Sequence, residues 1–204
     1  MFFGIIPRDL AGMACSMADP HSLATVSAMR ETMPDRSRSD VRQIRRGRNM
    51  AGTVEQKLAA QGVVLPEPRT AMANYVGFVR TGNLLFVSGQ VCANAEGKLI
   101  AKGKLGAGVT TEQGYAAAQG CAVNLLTQVK AALGDLDKVV RVVRLGGFVN
   151  SAPDYLDGPK VLNGASDLMV TAFGDKGRHA RTTVGVASLP VDAAVEVEGI
   201  FEVS

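Results

Sequence analysis

Apolar residues recur along this chain in two rhythms, and the order of the rhythms sets out a fold. Within residues 111–133, Ala118, Ala122, Leu125, Val129 and Ala132 recur at steps of four and three, the period of a helix with one buried stripe. Glu112 stands in the first turn, where the helix dipole favours an acid, and Gly134 follows the end, where a left-handed residue closes the last turn. Residues 159–173 repeat the rhythm with Val161, Leu162, Ala165, Leu168, Met169 and Ala172, opening on Pro159 and stopping at Gly174. A shorter helix, TVEQKLAAQG, is predicted with Thr53 as its cap, Gln56 as a capping-box partner and Gly62 at its end. The other segments read as strands: YVGFVR at 75–80 and LLFVSGQ at 84–90, joined by the turn Thr81-Gly82-Asn83, and VVRVVRLGGFV at 139–149. RTTVGVASLP at 181–190 and VDAAVEVEGI at 191–200 are predicted as a closing hairpin turning near Leu189–Asp192. A polar, glycine-rich loop occupies 94–109.

Two strands, helix, strand, helix, two strands is an α+β order, with helices over a mixed sheet. LLFV at 84–87 and VGVASL at 184–189 are apolar on both faces, yet two long helices cover only one. The other face is therefore expected to meet a second copy of the chain in a homo-oligomer.

Composition narrows the setting. The net charge is +3, but residues 1–50 hold 8 Lys/Arg against 5 Asp/Glu while residues 51–204 hold 14 of each. A neutral domain argues against an extended phosphate-binding surface. Residues 1–49 lack periodicity and read either as a disordered extension or as a stretch ahead of a true start at Met50, before a domain spanning 50–204; their acids argue against a transit peptide. No run of about 18 apolar residues crosses a membrane. Cys15, Cys92 and Cys121 are scattered, and His21 and His179 lack ligand spacing, so neither a disulfide framework nor a metal site is expected. The simplest compartment is reducing and cytoplasmic.

The candidate chemistry lies in the last two strands. Arg181 opens one apolar strand, and Glu196 and Glu198 sit on the next; charge in such surroundings is costly unless paired. A guanidinium can hold a carboxylate by two parallel hydrogen bonds, and a carboxylate can orient or deprotonate water. By the strand period of two, Glu196, Glu198 and Glu202 also form a possible solvated acidic face. A hairpin turning at 190–191 sets Arg181 opposite about residue 200 and leaves Glu196 roughly 13 Å further along the strand, at about 3.3 Å per residue.

The segments NYVGFVRTGNLLFVSGQ (74–90), CAVNLLTQVKAALGDLDKVVRV (121–142), GFVNSAPDY (147–155) and HARTTVGVASLPVDAAVEVEGI (179–200) resemble the RidA/YjgF family, also labelled endoribonuclease L-PSP, in its longer YjgH-like branch. The resemblance implies a chorismate-mutase-like fold and a homotrimer with sites between subunits. It further implies hydrolytic deamination of reactive enamines or imines such as 2-aminoacrylate, without cofactor or metal. Residue by residue, it assigns the carboxylate clamp to Arg181 and the water-handling group to Glu196. It assigns pocket roles to Tyr75, Ser88, Gly89 and Asn163, and it places Thr183 where many members have cysteine. The loop VCANAEGKLIAKGKLG after Gln90 departs from the family pattern, which leaves the substrate open. Two other classes stand beside the deaminase: a non-catalytic, small-metabolite-binding trimer, and an endoribonuclease or RNA-binding protein, against which the neutral domain and the lack of a histidine pair weigh.

Overall fold

The structure, a computed structural model, describes residues 52–69 and 74–204. The expected extension at 1–49, with Cys15 and His21, lies outside the described residues.

Helix α1 (Thr53–Ala60) begins the described chain. Thr53 is its first helical residue rather than its cap. The capping acceptor is the Asp137 carboxylate, which takes hydrogen bonds from Thr53 N (2.8 Å), Thr53 Oγ1 (2.8 Å) and Val54 N (3.0 Å). Strands β1 (Phe78–Thr81) and β2 (Leu84–Val91) form the first hairpin. The following loop carries two short paired strands, β3 (Lys104–Leu105) and β4 (Gly108–Val109). Helix α2 (Thr111–Leu133) starts at a reciprocal capping box between Thr110 and Gln113 and ends on Gly134, whose φ of 77° suits the left-handed cap. Strand β5 (Val139–Asn150) and helix α3 (Gly158–Phe173) follow, then β6 (Ala180–Val186) and β7 (Val195–Val203).

The five long strands form one sheet in the order β1-β2-β7-β5-β6. The closing hairpin read from sequence is absent. β6 runs parallel to β5 on one side and β7 antiparallel to β5 on the other. The reason lies in residues 187–194. They lack the glycine or asparagine of a two-residue turn and instead form a longer connection, with a 3-10 turn at Pro190–Asp192, that passes the end of β5. Asn150 holds this connection, donating its N–H to Ala194 O and its side-chain amide to Asp192 Oδ1.

Helices α2 and α3 pack on one sheet face. Leu125, Leu126 and Val129 of α2 and Leu162 and Met169 of α3 meet Leu85, Leu145 and Phe201 of the sheet, all fully buried. Burying such a side chain contributes roughly 1.5–3 kcal/mol. Alternation and register put Val79, Leu84, Phe86, Phe148, Val184 and Ile200 on the opposite face, beside Arg144, Glu198 and Glu202. Phe86 is 40% and Val184 43% exposed. Helix α1 packs against α3 and the turn at 136–138, so it leaves this face open.

Candidate functional site

Two of the cavities share Ala93 and Asn124 in their walls. The larger, about 400 Å³, runs between α2 and residues 61–66 and is lined by groups such as Val63, Ile100, Gln119 and Asn124. It holds no ionisable side chain, so nothing in it can take or give a proton near neutrality. The smaller, about 220 Å³, is lined by Arg69, Tyr75, Gly89, Gln90, Asn124, Gln128, Val191 and Glu196. It brings a carboxylate, a guanidinium, a phenol and amides together, and is the candidate site.

Its geometry follows from an irregularity in β2. Val87 pairs with Gly199, and the next pair is Gln90 with Val197, so Ser88 and Gly89 carry one residue more than β7 opposite them: a bulge. A methyl group at 89 would overlap Glu196 Oε1 and lie 3.0 Å from its Cδ. The glycine thus makes room for the carboxylate. Burial, and next the charge of Glu198, raise the Glu196 pKa above the ordinary carboxylate range. Ser88 does not line the pocket. Its hydroxyl donates to Val76 O (2.7 Å) and its N–H to Gly77 O (3.0 Å), fixing the segment that carries Tyr75. Tyr75 is 56% exposed at the rim.

Arg181, Asn163 and Thr183 form a second group elsewhere. Arg181 lies in register with Leu145, as Gly199 does from the other side, and its guanidinium turns to α3. It donates to Asn163 Oδ1 (2.9 Å), Ser166 Oγ (3.0 Å) and Pro159 O (3.3 Å). These bonds use three of its five donors; among the described residues the other two have no partner. His179 extends the network, with Nε2 3.1 Å from Ser166 Oγ and Nδ1 2.6 Å from Gly177 O. Burial lowers its pKa; the neutral ring, donating from Nδ1, accepts the Ser166 hydroxyl. Thr183 lies on the same strand face as Arg181, its methyl near the Gly158 backbone.

Glu196 and Arg181 of one chain therefore do not share a pocket. Two strand spacings and three residues separate their backbones, roughly 14 Å, and they face opposite sides of the sheet. The gap nearly matches the hairpin expectation, but its cause is different: β5 lies between the two strands. Among the pocket groups not singled out in the sequence are Arg69, whose Nη2 donates to Asn94 O (2.8 Å), and Gln128, which donates to Arg69 O (3.0 Å). Val191 at the rim has φ 55°, a left-handed conformation that costs a β-branched residue about 1–3 kcal/mol. Cys92 and Cys121 are fully buried and donate to Ala101 O and Val195 O. Burial pushes the Cys121 thiol up, while the hydrogen bond from Cys121 draws Cys92 down to about 5.

Residues 55–202 match the family described as "YjgF/chorismate_mutase-like, putative endoribonuclease". The chain belongs to this family, and its sheet and helices have the chorismate-mutase-like arrangement. Protein TCP17 of Trypanosoma cruzi is 47% identical over 155 residues, covering 76% of this chain and 96% of that protein. Atu1372 of Agrobacterium tumefaciens, a solved structure of unknown function, is 47% identical with a TM-score of 0.69, covering 74% of this chain and 93% of its own. A protein of Shewanella oneidensis MR-1 carrying the same endoribonuclease label is 36% identical with a TM-score of 0.72, covering 74% and 100%. No helix among the described residues is long and apolar enough to cross a membrane.

Proposed function

We propose that this protein hydrolyses small enamines or imines bearing a carboxylate, giving a 2-keto acid and ammonia, and that Glu196 handles the water and protons. The observation that carries the reading is the half-buried Glu196 carboxylate, set over Gly89 in a pocket with its pKa raised by burial. A carboxylate so placed is matched to proton transfer nearer neutrality. The water oxygen bonds to the imine carbon as Glu196 takes its proton, and Glu196 returns that proton to the nitrogen. The hydroxyl proton then follows the same route, the C–N bond breaks, and ammonia leaves with the keto acid behind.

The substrate carboxylate needs a cation. Our reading gives this role to Arg181 of a neighbouring copy in a homotrimer. In its support, β6 is an edge strand, Arg181 is held by Asn163 and Ser166 with donors to spare, and the open sheet face exposes Phe86 and Val184. Arg69 supports a second reading, because it lines the same pocket as Glu196 and would clamp the carboxylate within one chain. A pocket used only for binding a small metabolite fits either arginine. The endoribonuclease label draws less from the site, since the pocket contains no histidine.

The test supplies the protein with 2-iminopropionate generated in situ and follows keto acid release. We expect acceleration over buffer, a fall in kcat of about 10²–10⁴-fold for Glu196→Gln, and a loss in kcat/KM for Arg181→Ala with the assembly intact. A larger loss for Arg69→Ala would favour the single-chain clamp. A wild-type rate equal to buffer for several imino acids would remove the deaminase and leave metabolite binding. RNA cleavage that survives both Glu196→Gln and Arg181→Ala would place any nuclease activity outside this site.

A further inference from the structure

Apart from the candidate pocket, Glu55 of α1 meets Asp135 and Asp137 of the turn before β5. The three residues each offer a carboxylate oxygen, all within 4.8 Å of one another. Their oxygens converge on the space over the Gly52 Cα. A methyl group placed on Gly52 would lie 2.6 Å from Glu55 Oε2 and 3.1 Å from Asp137 Oδ2, with Asp135 Oδ1 also against it.

Part of this cluster has an ordinary explanation. Asp137 caps α1, and Asp135 Oδ1 accepts the Asp137 N–H at 2.9 Å. Glu55 Oε1 accepts from Leu136 N at 3.2 Å and lies 3.4 Å from Lys130 Nζ. Lys57 adds positive charge near Asp137. The other oxygen of Glu55 is not accounted for. Glu55 is only 8% exposed, and among the described residues its buried Oε2 has no hydrogen-bond partner. A buried carboxylate oxygen without a donor is costly, and here it faces two more carboxylates, so Lys130 and Lys57 leave the local charge negative. A protonated acid would satisfy one oxygen; a cation would satisfy three.

We propose that Glu55, Asp135 and Asp137 form a calcium-binding site that fastens α1 to the turn at 135–138. Hard oxygen donors select a hard cation, and oxygens spread over this span suit Ca²⁺, bonded at about 2.3–2.6 Å, better than the tighter octahedron of Mg²⁺ at about 2.0–2.1 Å. Water completes the shell on the exposed Asp137 side. With three protein carboxylates and that open side, the affinity falls on the order of 10⁻⁴–10⁻³ M. The sequence offered no hint of this site because its ligands come from segments about eighty residues apart, and no local spacing joins them.

The experiment uses the full chain, stripped with chelator, and calcium chloride alone. Titration calorimetry and thermal unfolding should show one Ca²⁺ per chain and an upward shift of the unfolding midpoint. Asp135→Asn keeps the acceptor for Asp137 N–H, so it should fold, yet it should weaken Ca²⁺ by about tenfold or more. Glu55→Gln should do the same and should raise the midpoint of the metal-free protein by relieving the crowded charge. The proposal is overturned if millimolar calcium gives neither heat nor shift, if both variants respond as the wild type does, or if Mg²⁺ binds as tightly as Ca²⁺.

Discussion

Glu196 is where a single side chain decides the most. Its pKa is raised, first by burial and then by Glu198, so the folded protein holds this proton more tightly than the unfolded chain does. Its contribution to stability is therefore fully present below the ordinary glutamate pKa and is lost as pH rises through the folded value. Glu196→Gln removes that loss. Denaturant unfolding should show the variant gaining stability relative to wild type between acid and neutral pH; equal differences at both would mean that the carboxylate is not perturbed. In catalysis the sign reverses. In the proposed reaction the ionised form takes the proton from water, so the acidic limb of the kcat profile should lie above the ordinary glutamate range. Gly89→Ala tests the room left for this group. The methyl meets the end of a flexible side chain, so unfolding should change little while turnover falls. The family resemblance picked out Glu196 and Gly89, but Arg69 and Gln128 were not legible, because a pocket wall assembled from α2 and the segment before β1 leaves no local spacing to read.

At the level of elements, the two helices were the most legible parts. Their buried stripes extend over several turns, and each ends where a glycine ends it. Periodicity could not give their closeness. A Cβ on Gly164 would overlap the Tyr115 carbonyl and lie 3.2 Å from Gln119 N, so the backbones of α2 and α3 touch there. Backbone cannot swing aside as a side chain does. Gly164→Ala should therefore destabilise by about 1–3 kcal/mol, against the usual gain of roughly 1 kcal/mol from alanine inside a helix. Urea unfolding decides the sign, and a stabilised variant would mean that the helices separate easily. The misread closing hairpin has the same origin as the missed Asp137 cap: both depend on chain neighbours set by topology. Two adjacent strand patterns look like a hairpin until β5 comes between them, and the acceptor for Thr53 comes from 84 residues away.

For the molecule as a whole, the open sheet face links the proposed assembly to the proposed chemistry. The sequence foresaw that one face lacks cover, since strands apolar on both sides outnumber the helices available. Phe86 and Val184 stand there at 40% and 43% exposure, near the Arg144–Glu198 pair at 3.3 Å. If the proposed assembly forms, Phe86→Asp should shift it toward monomer in sedimentation; a wild-type monomer would sink the assembly itself. The sharper prediction concerns how each site is divided. Glu196 and Arg181 of one chain face opposite sides of the sheet, so a site using both must draw them from different copies. Protein carrying Glu196→Gln and protein carrying Arg181→Ala should each be nearly inactive. Refolded together, they form mixed oligomers in which some interfaces join an intact Glu196 to an intact Arg181, and part of the activity should return. A site complete within one chain, built from Glu196 and Arg69, predicts instead that Arg181→Ala stays active on its own and that mixing restores nothing to the Glu196→Gln chains.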